Sequence, residues 1–304
     1  MITLRQIRYF VATAEIGQIS QAAIYLNISQ SAVTTAIQEL ESLLGKPLFL
    51  RSVHGMTLTE NGSYFLNHAY SILRSVDEAM MMPLTDNRIN GILNVAASYT
   101  VMGYFLPFHL QRLSYGFPHI TINLNERERS DIEQGLINRS FDISLVLTDN
   151  LTHPEIVAEK LFNSERRLWL PSRHPLCMKS EVSLADVANE PFILLTVDEA
   201  DHSAMRYWDQ SGVRPRTMLR TSSVEAVRSM VANGLGVAIL SDLVYRPWSL
   251  EGRRIETRSL KDAVPPMSVG LAWHRDAAFT PPMQAIREYF RTAFLTPQLN
   301  IARR

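Results

Sequence analysis

Near the start of the chain, apolar residues recur at helical spacing in two short runs. Ala22, Ala23 and Leu26 share one face of the first, and Val33, Ile37, Leu40 and Leu44 recur along the second. Residues 17–33, GQISQAAIYLNISQSAV, therefore predict two helices around a tight turn. Ser20 is placed to accept a hydrogen bond from free N–H groups at the start of the first helix, and Ser29 or Gln30 stands at the start of the second. With the apolar faces turned inward, Gln30, Ser31, Thr34, Thr35 and Gln38 point outward. Such a row of hydrogen-bonding side chains suits base edges in a major groove, while plain solvation is the alternative for any one of them. Gly45 and Pro47 end the helix. Residues 48–51 and 55–62 then alternate enough to make a small hairpin, a wing, with Arg51 and His54 free to approach phosphate. A longer helix follows, capped by Thr59 and closed before Pro83. In it Gly62, Phe65, Ala69, Ile72, Val76 and Ala79 draw an apolar seam, with Leu66, Leu73 and Met80 beside it. That seam can pack against a second copy or against the winged domain.

From about residue 90 the period changes. Apolar runs of strand type at 92–97, 120–124 and 143–147 alternate with helices beginning near 100 and 132, which is βαβαβ order. A second set follows at 167–170, 192–195, 218–221 and 237–240, with a helix at 224–233. The last strand, 269–273, and the helix 281–294, with Met283, Ile286, Tyr289, Phe290 and Phe294 inward, return the chain to the first lobe. Residues 86–90, DNRIN, make a polar break before Gly91 and place a hinge there. The expected fold is α/β with an N-terminal all-α winged helix-turn-helix. It divides into a DNA-binding domain at 1–58, a linker or dimerisation helix and hinge at 59–90, and a two-lobed α/β domain at 91–304. Lobe I covers about 91–162 and 269–304, and lobe II about 163–268.

Open parallel sheets bind ligands at the carboxyl ends of their strands, beside helix starts that favour an anion. The candidates are Ser98, Tyr99 and Thr100 after the first strand, Thr148 after the third, Thr196 after the 192–195 strand, and Thr221 with Ser222 before a helix. Their hydroxyls could surround one carboxylate, although helix capping explains each alone. His202 could donate to an effector oxygen, and Tyr99, Tyr104, Phe105, Tyr207 and Trp208 could form an apolar wall suited to an aromatic acid. Core packing is the plainer reading of most of these aromatics. Gly234 and Gly236 end a helix and turn into a strand, so a phosphate loop is not indicated.

The LRQIRYFVATAE of residues 4–15, the LGKPLFLR of 44–51 and the LTENG of 58–62, together with the helix-turn-helix between them, resemble the opening of the LysR-type transcriptional regulators. Residues 225–240, EAVRSMVANGLGVAIL, resemble a recurring segment of that family's regulatory half. The resemblance implies that Ser20, Gln21, Gln30, Ser31, Thr34, Thr35 and Gln38 face DNA, and that Arg51 with Thr57, beside His54, grips the backbone. The family usually has Arg where Thr35 stands and commonly where His54 stands, so these contacts differ. It further implies a dimer linker in the long helix and a regulatory domain like a two-lobed (type II) periplasmic binding protein, with a small-molecule effector between the lobes. Promoter DNA, the effector and further copies of the chain, as dimer or tetramer, are the expected partners, with RNA polymerase as another candidate.

Composition refines this picture. The 304 residues are 46% hydrophobic and 20% charged, as expected of two or more globular domains. Residues 1–82 hold five basic and six acidic side chains, so a single reading head binds phosphate weakly and calls for two copies on one site. Backbone N–H groups at helix starts still supply phosphate contacts. No secretion signal and no apolar run of about twenty residues is present, so a cytoplasmic location and no membrane role are expected. The single Cys177 cannot form an internal disulfide. The eight histidines show no metal-ligand spacing, and no nucleophile elbow or acid-base pair is visible, so neither enzyme activity nor a metal or other cofactor is expected. A solute-binding module without gene control is the competing class. Arg166-Arg167 and Arg253-Arg254 read as solvated basic pairs.

Overall fold

Phe10 lies at the centre of the first of two compact units, with its ring 5.2 Å from that of Phe49 and 5.0 Å from that of Phe65. The computed structural model describes residues 1–26, 28–52, 55–80 and 89–295, and the chain divides into units at 1–84 and 85–303. The first unit runs α1 (Leu4–Ile16), α2 (Ile19–Tyr25), α3 (Gln30–Leu44), β1 (Phe49–Ser52), β2 (Gly55–Leu58) and α4 (Glu60–Met80). Ile7, Phe10, Val33, Ile37 and Leu40 close its core, as the 3.6-residue spacing requires. Gly45, at φ 66°, caps α3 in the left-handed region. The Glu41 carboxylate then accepts from the N–H groups of Leu48 (2.7 Å) and Phe49 (3.1 Å), aiming the chain into the wing.

One local expectation needs correction. Ser20 is not a helix cap: α2 starts one residue earlier, at Ile19, and its first turn closes from Ala22 N–H to the Gln18 carbonyl at 2.9 Å. In α4, Thr59 does cap the helix, its hydroxyl accepting from Gly62 N–H at 2.9 Å. The buried line there, however, runs Gly62, Ala69 and Leu73. Measured from Gly62, Leu73 lies about 20° to one side and Ile72 about 80° to the other, which leaves Ile72 at the exposed edge. Phe65, Leu66, Ala69 and Leu73 pack into the winged core of their own chain. Pro83 and the 86–88 part of the expected hinge lie outside the described residues.

In the second unit, β3 (Gly91–Ala97), α5 (Tyr99–Tyr104), α6 (Leu106–Gly116), β4 (Ile120–Glu126), α7 (Arg129–Ile137) and β5 (Ile143–Leu147) form the βαβαβ start. β6 (Ile156–Ser164) precedes lobe II, which comprises β7 (Arg166–Pro171), α8 (Leu184–Ala188), β8 (Pro191–Leu195), α9 (Ala200–Ser211), β9 (Arg216–Thr221), α10 (Val224–Ala232), β10 (Ala238–Ser241) and β11 (Ile255–Arg258). The chain returns through β12 (Met267–His274) to α11 (Pro281–Leu295). The lobe I sheet has the order β4-β3-β5-β12-β6. It is mixed rather than purely parallel, since β12 runs antiparallel to both β5 and β6; β10 likewise runs antiparallel to β7.

Both faces of β5, β8, β10 and β12 are covered, which is why these strands read as nearly unbroken apolar runs. Leu168, Phe192, Leu194 and Ile239 face one lobe II core, whereas Trp169, Ile193, Leu195 and Leu240 face another. In lobe I, Leu93, Val95, Leu145 and Leu271 meet Met283, Ile286 and Phe290 of α11, while Ala96 and Val146 meet Ile132 and Leu136 of α7. The side chain of Phe294 lies outside the described residues. Burial lowers His109, with help from Arg112, to a pKa of about 3, so it sits as a neutral ring beside the Tyr289 hydroxyl at 2.9 Å.

Candidate functional site

The α3 start carries the polar row. Ser29 caps it, its hydroxyl accepting from Ala32 N–H at 3.3 Å. Gln30, Ser31, Thr35 and Gln38 are exposed and Thr34 is half-buried. The Thr34 hydroxyl donates back to the Gln30 carbonyl at 2.9 Å, and the Ser31 and Ser29 hydroxyls lie 3.0 Å apart. Gln30, Thr35 and Gln38 are thus the exposed members of the row for which no side-chain hydrogen bond is found among the described residues. Ser20 and Gln21 are exposed on α2, and Thr57 is exposed on β2. His54 and the side chain of Arg51 lie outside the described residues.

In the second unit, the residues expected around an effector separate into groups. Thr100 lines a small cavity of about 50 Å³ between the lobes. The hydroxyls of Ser98 and Thr148 are buried without a hydrogen-bond partner among the described residues. Thr196 N–H donates to the Thr221 carbonyl at 2.9 Å, and the Thr221 hydroxyl accepts from Ser223 N–H at 3.1 Å, so these residues shape the turn into α10. Ser222, Tyr99 and His202 are exposed. Of the five aromatics, Phe105 and Trp208 belong to cores, Tyr104 donates to Glu225 at 3.1 Å, and Tyr207 lines the cavities.

The sequence reading missed Asp198. Its carboxylate accepts from the N–H groups of Tyr99 (3.2 Å) and Thr100 (2.7 Å), and its carbonyl accepts from the Asn150 amide at 2.8 Å. Its neighbour Glu199 pairs with Arg129 of α7 at 2.9 Å. A lobe II turn is thereby fastened to three points of lobe I. Asp198 and Glu199 both sit at positive φ, 50° and 60°, a conformation that costs of order 1–3 kcal/mol per residue and persists only when contacts hold it. Asp198→Ala should therefore lower stability by about 2–3 kcal/mol, through lost charge-assisted bonds, while Asp198→Gly should recover about 1 kcal/mol of that by removing the strain. Thermal unfolding of the two variants checks the order; alanine equal to or better than glycine would count against a strained clasp.

Beside it opens a larger cavity of about 370 Å³, with Leu147, Asp149 and Lys160 from lobe I and Arg166, Arg206 and Tyr207 from lobe II. Arg166 is not solvated surface, as the sequence suggested. It lies where the chain crosses from β6 to β7, and burial lowers its pKa. Its neighbour Arg167 pairs with Asp242 at 2.9 Å, and Arg254 pairs with Glu256 at 2.9 Å. Arg166, Arg167 and Arg254 thus hold strands and crossings together, while Arg253 is exposed as expected. Among the described residues no cluster of His, Cys, Asp and Glu could hold a metal, and no helix is long and apolar enough to cross a membrane.

Comparison with known proteins agrees with both halves. Residues 4–63 match the model of the bacterial regulatory helix-turn-helix proteins of the lysR family, and residues 86–295 match the LysR substrate binding domain. The chain is 31% identical over 248 residues to the HTH-type transcriptional regulator PecT of Dickeya dadantii, covering 81% of this chain and 74% of that protein. It is 29% identical to YwqM of Bacillus subtilis, an uncharacterised HTH-type transcriptional regulator, covering 96% of this chain and 99% of that one. The crystal structure of HinK, a LysR family transcriptional regulator from Pseudomonas aeruginosa, superposes with a TM-score of 0.63 at 28% identity over 97% of this chain and 99% of that one. The chain belongs to the LysR family of DNA-binding transcriptional regulators, and is not an enzyme.

Proposed function

We propose that this regulator acts in the cytoplasm as a dimer or tetramer on an inverted-repeat promoter site, adjusting transcription when a small anionic effector enters the space between its lobes. The observation that carries the effector class is the charge of the larger cavity: three cationic side chains against one carboxylate. Only Tyr207 of the five candidate aromatics lines it, so charge rather than aromatic stacking dominates recognition. Gln30, Thr35 and Gln38 read bases, with Ser20, Gln21, Ser31, Thr34, Arg51, His54 and Thr57 around them toward the backbone. Thr100 borders the adjoining small cavity rather than the larger one, and the buried hydroxyls of Ser98 and Thr148 lack partners among the described residues. The effector works by preferring one arrangement of lobes and copies over another, because only differential affinity moves the equilibrium that DNA and RNA polymerase sense.

Gln30→Ala is expected to relax base preference by about 1–3 kcal/mol at the position it reads, whereas Arg51→Ala weakens all sequences alike and flattens the salt dependence. Binding to a randomised operator library at two salt concentrations separates the two. The reverse pattern would overturn this division of roles.

A further inference from the structure

We infer that the larger cavity is a binding site for a small dianion, whose acid groups are held by Arg166, Arg206 and Lys160 and by the Tyr207 hydroxyl, at the crossing between the lobes. The inference rests on the regulator reading above and adds the ligand's charge and its anchoring residues. Three observations converge on it.

The first is charge balance. Lys160, Arg166 and Arg206 line the cavity, and none of the three forms an ion pair among the described residues. Among the described residues Asp149 is the one carboxylate on the wall, and it accepts from Ser268 N–H at 3.2 Å. The cavity therefore carries an excess of two positive charges, and the half-buried Arg166 guanidinium has no carboxylate paired with it among the described residues.

The second is an unused donor. Tyr207 is 2% exposed and its hydroxyl has no acceptor among the described residues, since the neighbouring Trp208 indole can only donate. Burial pushes the Tyr207 hydroxyl above its ordinary range, so it remains an O–H donor. A buried hydroxyl without an acceptor is expensive unless a ligand supplies one.

The third is location. Arg166 donates through Nη1 to the carbonyls of Pro265 and Pro266, the latter at 3.2 Å. Residue 165 and residues 259–266 are the two crossings between the lobes, so Arg166 ties one crossing to the other. Its Nε and Nη2 remain for an anion, and a ligand there acts on the hinge itself. The α5 start, by contrast, already holds the Asp198 carboxylate. Leu147 and Met267 supply apolar wall for a short carbon body between the acid groups.

The test uses the full-length protein with succinate, glutarate, inorganic phosphate, acetate and the neutral diamide succinamide as probes. At ten times its Kd, a bound dianion should raise the melting temperature of the regulatory half by about 3–6 °C. Succinate or glutarate should bind at least tenfold tighter than acetate, and succinamide should not bind. Arg206→Gln, at an exposed position, and Lys160→Gln should each weaken the dicarboxylate about tenfold without changing the melting temperature of the unliganded protein, and Tyr207→Phe should weaken it severalfold. Tighter binding of phosphate than of either dicarboxylate, lost in the same variants, would keep the site and assign it a phosphorylated ligand. No shift with any probe, equal binding of acetate, or affinities indifferent to Arg206→Gln and Lys160→Gln would overturn the inference. An effector that still changes promoter binding in those variants would overturn it while leaving the regulator reading intact.

Discussion

Replacing Arg228 with alanine should destabilise the regulatory half by about 3 kcal/mol, at the low end of what removing one partner of a buried ion pair costs. Arg228 is only 1% exposed on α10. Its Nε and Nη2 reach the Glu225 carboxylate at 2.9 and 3.2 Å, Nη2 also reaches the Val244 carbonyl at 2.8 Å, and Nη1 reaches the Arg246 carbonyl at 2.9 Å. The guanidinium lies 5.3 Å from the Trp169 ring centre. Truncation strands two carbonyls and a carboxylate at once. Glu225 keeps partial solvent contact, which limits the loss to the lower part of the range. Lysine should not restore the loss, because a single ammonium cannot span the carboxylate and both carbonyls in the geometry of a planar fork. Urea denaturation measures the effect, and a change below about 1 kcal/mol for Arg228→Ala would show that the network is redundant.

Phe10→Ala should cost the first unit about 3–5 kcal/mol, the usual range for emptying a buried aromatic site. Phe10 is fully buried and touches the wing through Phe49 and α4 through Phe65. Its loss would loosen the two elements that orient α3. Because the chain folds as two units, calorimetry should show one transition lowered while that of residues 89–295 stays in place, and DNA binding should fall with the first. A shift confined to the other transition would contradict this packing.

Much of this was legible in the sequence because local chemistry and burial coincide. Ala22, Ala23, Val33, Ile37 and Leu40 announced the first core by spacing, Gly45 its helix end, and the alternating β7, β8 and β10 residues a sheet covered on both sides. Resemblance to the LysR-type regulators supplied the two-lobed plan. What stayed hidden was set by long-range geometry. Asp198 meets the start of α5 across about a hundred residues of chain, and no period marks it. Arg166 looked like half of a solvated pair because its burial depends on the 259–266 crossing folding over it. Ile72 stands at the exposed edge of the seam because two three-residue steps and one four-residue step from Gly62 carry it about 80° around the helix. The Ser and Thr residues at strand ends were found readily, yet several of them, Thr221 among them, shape turns, which the same composition also serves.

The most direct measurement of the central claim is footprinting of the full-length protein on the promoter region flanking its own gene at low ionic strength, with and without the dicarboxylate that binds best. The account predicts protection of an inverted repeat, with an extent or DNA bend that changes when the ligand is added. Absence of any footprint under both conditions, or a footprint indifferent to a ligand shown to fill the cavity, would contradict it.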